Sequence, residues 1–155
     1  MRGIVMGEQC HFVNILPPAD ADTVATPEVF SMKGWQHATI VLQLGVTGAA
    51  ATVTVEACDN FTPSNVSAIA FAVYKEETAA GDTLGARVEV TSAGFATSTN
   101  DGVFYVIEVD AAALPDGYPN LQLKVSDPGA ATFASAIAIL SGGRYTEDQS
   151  ATVIA

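Results

Sequence analysis

The sequence predicts an all-β fold: an antiparallel β-sandwich of jelly-roll or immunoglobulin-like type, preceded by an extended N-terminal arm. Three observations carry this. The dominant hydrophobic period is two rather than 3.6. Short alternating runs recur at intervals of about ten to fifteen residues with turn chemistry between them. No window longer than about ten residues holds a clean helical stripe.

Residues 1–34 contain Pro17-Pro18, Asp20, Asp22 and Pro27 between strand-like pieces at CHFVNI and EVFSM. They read as an arm or edge strand with a long connection, and residues 35–155 as the sandwich proper. ATIVLQLGV (38–46) and ATVTVEA (51–57) alternate across TGAA and predict a hairpin. SAIAFAVYKE (67–76) predicts one strand with Ile69, Phe71 and Val73 on one face. ARVEVT (86–91) alternates, and TNDG (99–102) is a tight turn, because Asn, Asp and Gly tolerate positive φ. VFYVIEV (103–109), NLQLKVS (120–126) and ATFASAIAIL (131–140) complete the strands. Phe71, Phe104 and Phe133 are expected in the core. Between the first two of these last strands, DAAALPDGYPN predicts a turn of helix capped by Asp110, then a Pro-Asp-Gly corner with Leu114 and Tyr118 closing the sandwich end. The tail RYTEDQSATVIA ends in an apolar tetrad that either closes a sheet edge or pairs with another subunit.

Composition narrows function. The chain has 155 residues, enough for one domain with a real core, and is 49% hydrophobic but only 15% charged. Such a surface of Ser, Thr, Asn, Gln, Gly and Ala is cheap to desolvate. The net charge is -11 with six basic residues, which are scattered. Nucleic acid and anionic membrane are therefore not expected partners. The apolar runs are too short to span a bilayer, and no secretory signal is evident, so synthesis in the cytoplasm is expected.

No catalytic constellation emerges, and a non-enzymatic protein without cofactor or metal is expected. Glu108 and Asp110 share one strand face but read as a strand end and a cap rather than an acid/base pair. DAD (20–22) and DGYPN (116–120) lack the ligand spacing of a calcium loop. Cys10 and Cys58 lack paired zinc spacing, and burial as small thiols is the usual fate of such residues. His37 opens a strand and reads as a surface or edge residue. Trp35, Tyr74, Tyr105, Tyr118 and Tyr145 offer an alternative: a stacking platform for sugar.

GWQHATIVLQLGVTGAAATVTVEACDNFTPSNVSAIAFAVYKEE, then YVIEVDAAALPDGYPNLQLKVSD, then AIAILSGGRY, resemble small head-associated proteins of tailed bacteriophages: decoration or cement proteins. The likeness covers about residues 33–146, on Gly34-Trp35, VEACDN, VDAAALPDGYPNL and GGRY. It implies a β-sandwich on the capsid surface of the virion, bound to the major capsid protein and to neighbouring copies of itself, as trimers in the manner of decoration proteins at three-fold positions. The alternative is a carbohydrate- or receptor-binding module on the virion. His11, Phe12, Trp35, Tyr145, Val153 and Ile154, at the two ends of the chain and the start of the sandwich, are the expected partner contacts.

Overall fold

The computed structural model describes residues 3–21 and 27–144. A short helix, α1 (Met6–Gln9), leads into β1 (His11–Asp20). Then come β2 (Phe30–Ser31), β3 (His37–Thr47), β4 (Thr52–Cys58), β5 (Val66–Ile69), β6 (Phe71–Glu76), β7 (Val88–Val90), β8 (Phe95–Ala96), β9 (Phe104–Asp110), β10 (Asn120–Val125) and β11 (Thr132–Ser141). They form two antiparallel sheets. The larger has the order β1-β11-β3-β9-β6-β7; the smaller has the order β2-β10-β4-β5, with β8 pairing further along β4.

The core lies between the sheets. From the larger one come Ile40, Leu42, Leu44, Tyr105 and Ile107; from the smaller come Val53, Val55, Leu121, Leu123 and Val125. Each belongs to one phase of an alternating strand, so period two delivers one continuous apolar face per sheet.

Of the two readings of the N-terminal segment, residues 11–20 form the edge strand. β1 pairs with β11 and buries Val13, Ile15 and Leu16. The register shifts on either side of Leu16, at Ile15 and at Pro17-Pro18. Proline has no N–H to give a ladder, and an edge strand with bulges is where a sheet accommodates it.

Two strand expectations are corrected. β3 and β4 are not a hairpin: β3 pairs with β11 and β9, whereas β4 pairs with β10, β5 and β8 in the opposite sheet. Residues 67–76 are not one strand either, because the chain passes at Ala70 from β5 in one sheet to β6 in the other. Alternation states that one face of a strand is buried. It gives the same signal whether the next strand lies beside it or across the core.

Candidate functional site

β11 carries the most informative inversion. Its sequence places large residues (Phe133, Ile137, Ile139) on one phase and alanines (Ala134, Ala136, Ala138) on the other. The alanines, with Thr132 and Leu140 at the ends of the strand, are the buried set; Phe133 is 50% exposed and Ile137 39%. The reason lies in the neighbours. Ala136 pairs with Leu42 and Leu16, and Ala138 with Ile40 and Val13, so bulky side chains on both flanking strands already fill the space beneath β11. Phe104, also expected in the core, is half-buried on the same outer phase of β9.

The outer face of the larger sheet is consequently apolar at its centre. One cross-strand row runs Asn14, Ile137, Val41, Val106, Tyr74; the next begins Phe12, Ile139, Thr39, Glu108. Phe12 is 48% exposed. An antiparallel sheet whose outer face meets only water normally alternates to polar residues there. Single exposed apolar residues are ordinary, but a contiguous patch marks an interaction surface.

One end of this face is ionic. His37 lies opposite Asp110, and Thr39 opposite Glu108, in the β3–β9 ladder. The His37 ring approaches Glu108 Oε2 with Nε2 at 2.6 Å and Asp110 Oδ1 with Nδ1 at 2.7 Å. Thr39 Oγ1 donates to Glu108 Oε2 at 2.7 Å. Two ring nitrogens facing carboxylates suit the doubly protonated imidazolium. Partial burial of the ring opposes the charge, but hydrogen bonds to Glu108 and Asp110, and then their charges, outweigh it and raise the His37 pKa. The shared face of Glu108 and Asp110 is as expected. The Asp110 cap is not: residues Ala111–Ala113 form a 3₁₀ turn without a side-chain cap, because the Asp110 carboxylate is taken by His37.

The second feature is a cavity of about 400 Å³ at the sandwich end. Three segments build it. Met32–Trp35 is tied to the corner by the Met32 N–H donating to the Pro119 carbonyl at 2.9 Å, and to the chain after β11 by the Arg144 N–H donating to Gly34 at 2.8 Å. The Pro-Asp-Gly corner supplies Leu114, Asp116 and Tyr118, with Leu114 and Tyr118 packed against the core as expected. Trp35 stacks on His11, with ring centroids 5.9 Å apart and planes 16° from parallel. A Cβ on Gly143 would lie 3.1 Å from the indole, so the chain there passes tightly against Trp35.

Thus three expected contact residues fall in two places. Phe12 is on the outer sheet face, and His11 meets Trp35 near the end cavity. Tyr145, Val153 and Ile154 lie outside the described residues. Tyr105, one of the suggested platform aromatics, is buried beside Phe95, and its hydroxyl accepts the Ser98 N–H at 2.7 Å. Cys10 and Cys58 are both buried free thiols; burial, then the nearby Glu56 and Asp59 carboxylates, push the Cys58 thiol up to about 11. The outward phase of β11 and the joining of Lys33 to Arg144 at one cavity escaped the sequence reading. A run with alanine at every second position was the available signal for the first.

Among the described residues, no group of three or more His, Cys, Asp or Glu is placed to hold a metal ion, and no helix is long and apolar enough to cross a membrane. No protein-family model matches the chain, and no curated protein sequence matches it. Among solved structures, the chain is similar to the SPBc2 prophage-derived protein YomS, with a TM-score of 0.47 and 12% identity over 84% of this chain and 92% of that one.

Proposed function

We propose that this is a non-enzymatic structural protein of a tailed-phage virion, bound to the capsid surface through the outer face of its larger sheet. The observation that carries the reading is β11, which places three of its four large apolar side chains, Phe133, Ile137 and Ile139, on the outer phase. The dimensions support it. Six strands about 4.8 Å apart span about 24 Å, and the ten residues of β11 run about 33 Å, giving a face of roughly 800 Å². That equals one partner's share of a standard stable interface, about 800 Å². Strand addition at the sheet edges is the weaker route: β1 is broken by Pro17-Pro18 and two register shifts, and β7 has three residues. The major capsid protein is the proposed partner, with neighbouring copies of the chain beside it, since repeated copies turn weak single contacts into lasting attachment.

The test is saturable binding of purified protein to mature capsids, with Phe12, Phe133 and Ile137 replaced together by Ser. Half of a phenyl group of about 200 Å² leaves about 100 Å² to bury, worth up to about 2.5 kcal/mol per ring. The triple variant, folded by circular dichroism, is expected to bind at least about 100-fold more weakly. Absence of saturable binding by the unaltered protein, or equal binding by the variant, refutes the proposal.

A second reading, a sugar- or receptor-binding module on the virion, is favoured by one observation: Trp35 and Tyr118 line the same cavity.

A further inference from the structure

The end cavity is unusual in its charge. This chain has a net charge of -11 and only six basic residues. Five of them lie in the described residues, and three are held by carboxylates: Lys75 by Glu77, Arg87 by Glu89 at 2.7 Å, and Lys124 by Glu56 at 3.6 Å. The other two, Lys33 and Arg144, have no carboxylate within ion-pair distance among the described residues, and both line this one cavity. They come from segments more than a hundred residues apart, joined by the Arg144–Gly34 backbone hydrogen bond at 2.8 Å. In a protein with carboxylates to spare, two cations without an ion-pair partner among the described residues, both lining one concavity, favour an anion there.

The rest of the lining narrows the anion. Trp35 and Tyr118 offer aromatic surface with a polar handle on each ring. Asp116, exposed on the corner, is a pure acceptor when ionised and would repel a dense anion such as phosphate, but accepts from hydroxyl groups. Two cations for a carboxylate, a carboxylate for hydroxyls, and aromatic surface for an apolar ring face together describe one ligand class. The volume, about 400 Å³, lies in the small-ligand range.

We propose that this cavity binds a carboxylated sugar, with Lys33 and Arg144 on the carboxylate, Asp116 on ring hydroxyls, and Trp35 and Tyr118 against the ring. This rests on the second reading above and is independent of capsid attachment. Trp35 is the only tryptophan of the chain, so its fluorescence reports on the cavity directly. The experiment titrates the full-length protein with a galacturonic acid trisaccharide, with its fully methyl-esterified form, and with a glutamate-rich peptide of equal charge.

The acid is expected to give a saturable change in Trp35 emission that weakens with salt, and the ester to bind at least about tenfold more weakly. Lys33→Gln and Arg144→Gln, both at exposed positions, are each expected to weaken acid binding about tenfold, the usual scale for one charge-assisted hydrogen bond, with unchanged circular dichroism. Equal binding of acid and ester, or indifference to both substitutions, overturns the proposal and leaves the sugar-binding reading standing. No response to either sugar overturns both. A response to the peptide as strong as that to the acid overturns the assignment to sugar.

Discussion

The outward phase of β11 can be tested by substitutions whose effects reverse if the phase is wrong. Ala136 is 1% exposed beneath Leu42 and Leu16. Ala136→Leu forces a branched side chain into occupied space, which costs about 1–3 kcal/mol. Phe133 is 50% exposed. Truncating a fully buried Phe costs about 3–5 kcal/mol; with half its ring in solvent, and with Thr suited to a strand, Phe133→Thr should cost about 1 kcal/mol. If β11 instead turned Phe133 and Ile137 inward, as their size suggests, Ala136→Leu would be nearly neutral and Phe133→Thr would cost the full amount. A one-residue slip moves the whole set from one face to the other, so no intermediate outcome is available.

Equilibrium urea unfolding, followed by Trp35 fluorescence and far-ultraviolet circular dichroism, separates the cases. With a slope near 2 kcal/mol per molar urea, Ala136→Leu should lower the midpoint by about 1 M and Phe133→Thr by no more than about 0.5 M. A midpoint loss for Phe133→Thr greater than that for Ala136→Leu would refute the assignment of the outer face, and with it the surface on which the capsid proposal rests.

Three further outcomes are expected. The folded pKa of His37 is raised above its ordinary 6.5, so its cross-strand pairing stabilises fully below about pH 6.5 and fades as pH rises through the folded value. The stability difference between the parent and His37→Gln, below about 1 kcal/mol because Asp110 is exposed, should therefore be larger at pH 6 than at pH 8.5 in paired melting curves. At Gly94, φ is +78° and an added Cβ would lie 2.2 Å from the Val53 carbonyl oxygen; Gly94→Ala combines a left-handed backbone cost of about 1–2 kcal/mol with a clash against the β4 main chain, and a thermal midpoint within a degree or two of the parent would contradict the geometry. Cys58, buried and with its thiol pushed up to about 11, should resist a water-soluble thiol reagent at pH 8 in the native protein and react only on unfolding; rapid native labelling counts against its placement.

What was legible in the sequence follows from what period two encodes. The alternations of residues 38–46, 51–57 and 120–126 correctly marked Ile40, Leu42, Val53, Val55, Leu121 and Leu123 as one buried face per strand. The 110–119 corner was legible because Pro115 and Pro119 restrict the backbone locally and Gly117 takes the positive φ of the turn. Strand partnership was not, since β3 and β4 present the same pattern as a hairpin would. The direction of β11 was hidden for a related reason: hydrophobicity ranks Phe133 and Ile137 above alanine, but the available volume was set by Leu16, Ile40 and Leu42 on other strands. The end cavity depends on long-range joints, from Gly34 to Arg144 and from Met32 to Pro119, which no local pattern announces.

The two surfaces also bear on each other. The apolar rows of the larger sheet run across the strands, whereas the cavity opens where β9 leaves the sandwich for the corner and where the chain emerges from β11. A partner lying flat on the sheet would cover Phe12, Ile137 and Phe133 while meeting the cavity only at its rim. The ionic cluster of His37, Glu108 and Asp110 lies between them, at the strand ends nearest the corner. A docking partner that desolvated this cluster would strengthen its charges only if all three stayed paired, and would be penalised for breaking any one. This favours a contact centred toward Ile137 and Phe133, away from the corner, and leaves Lys33 and Arg144 facing solvent. Capsid attachment and ligand capture are then compatible on one subunit.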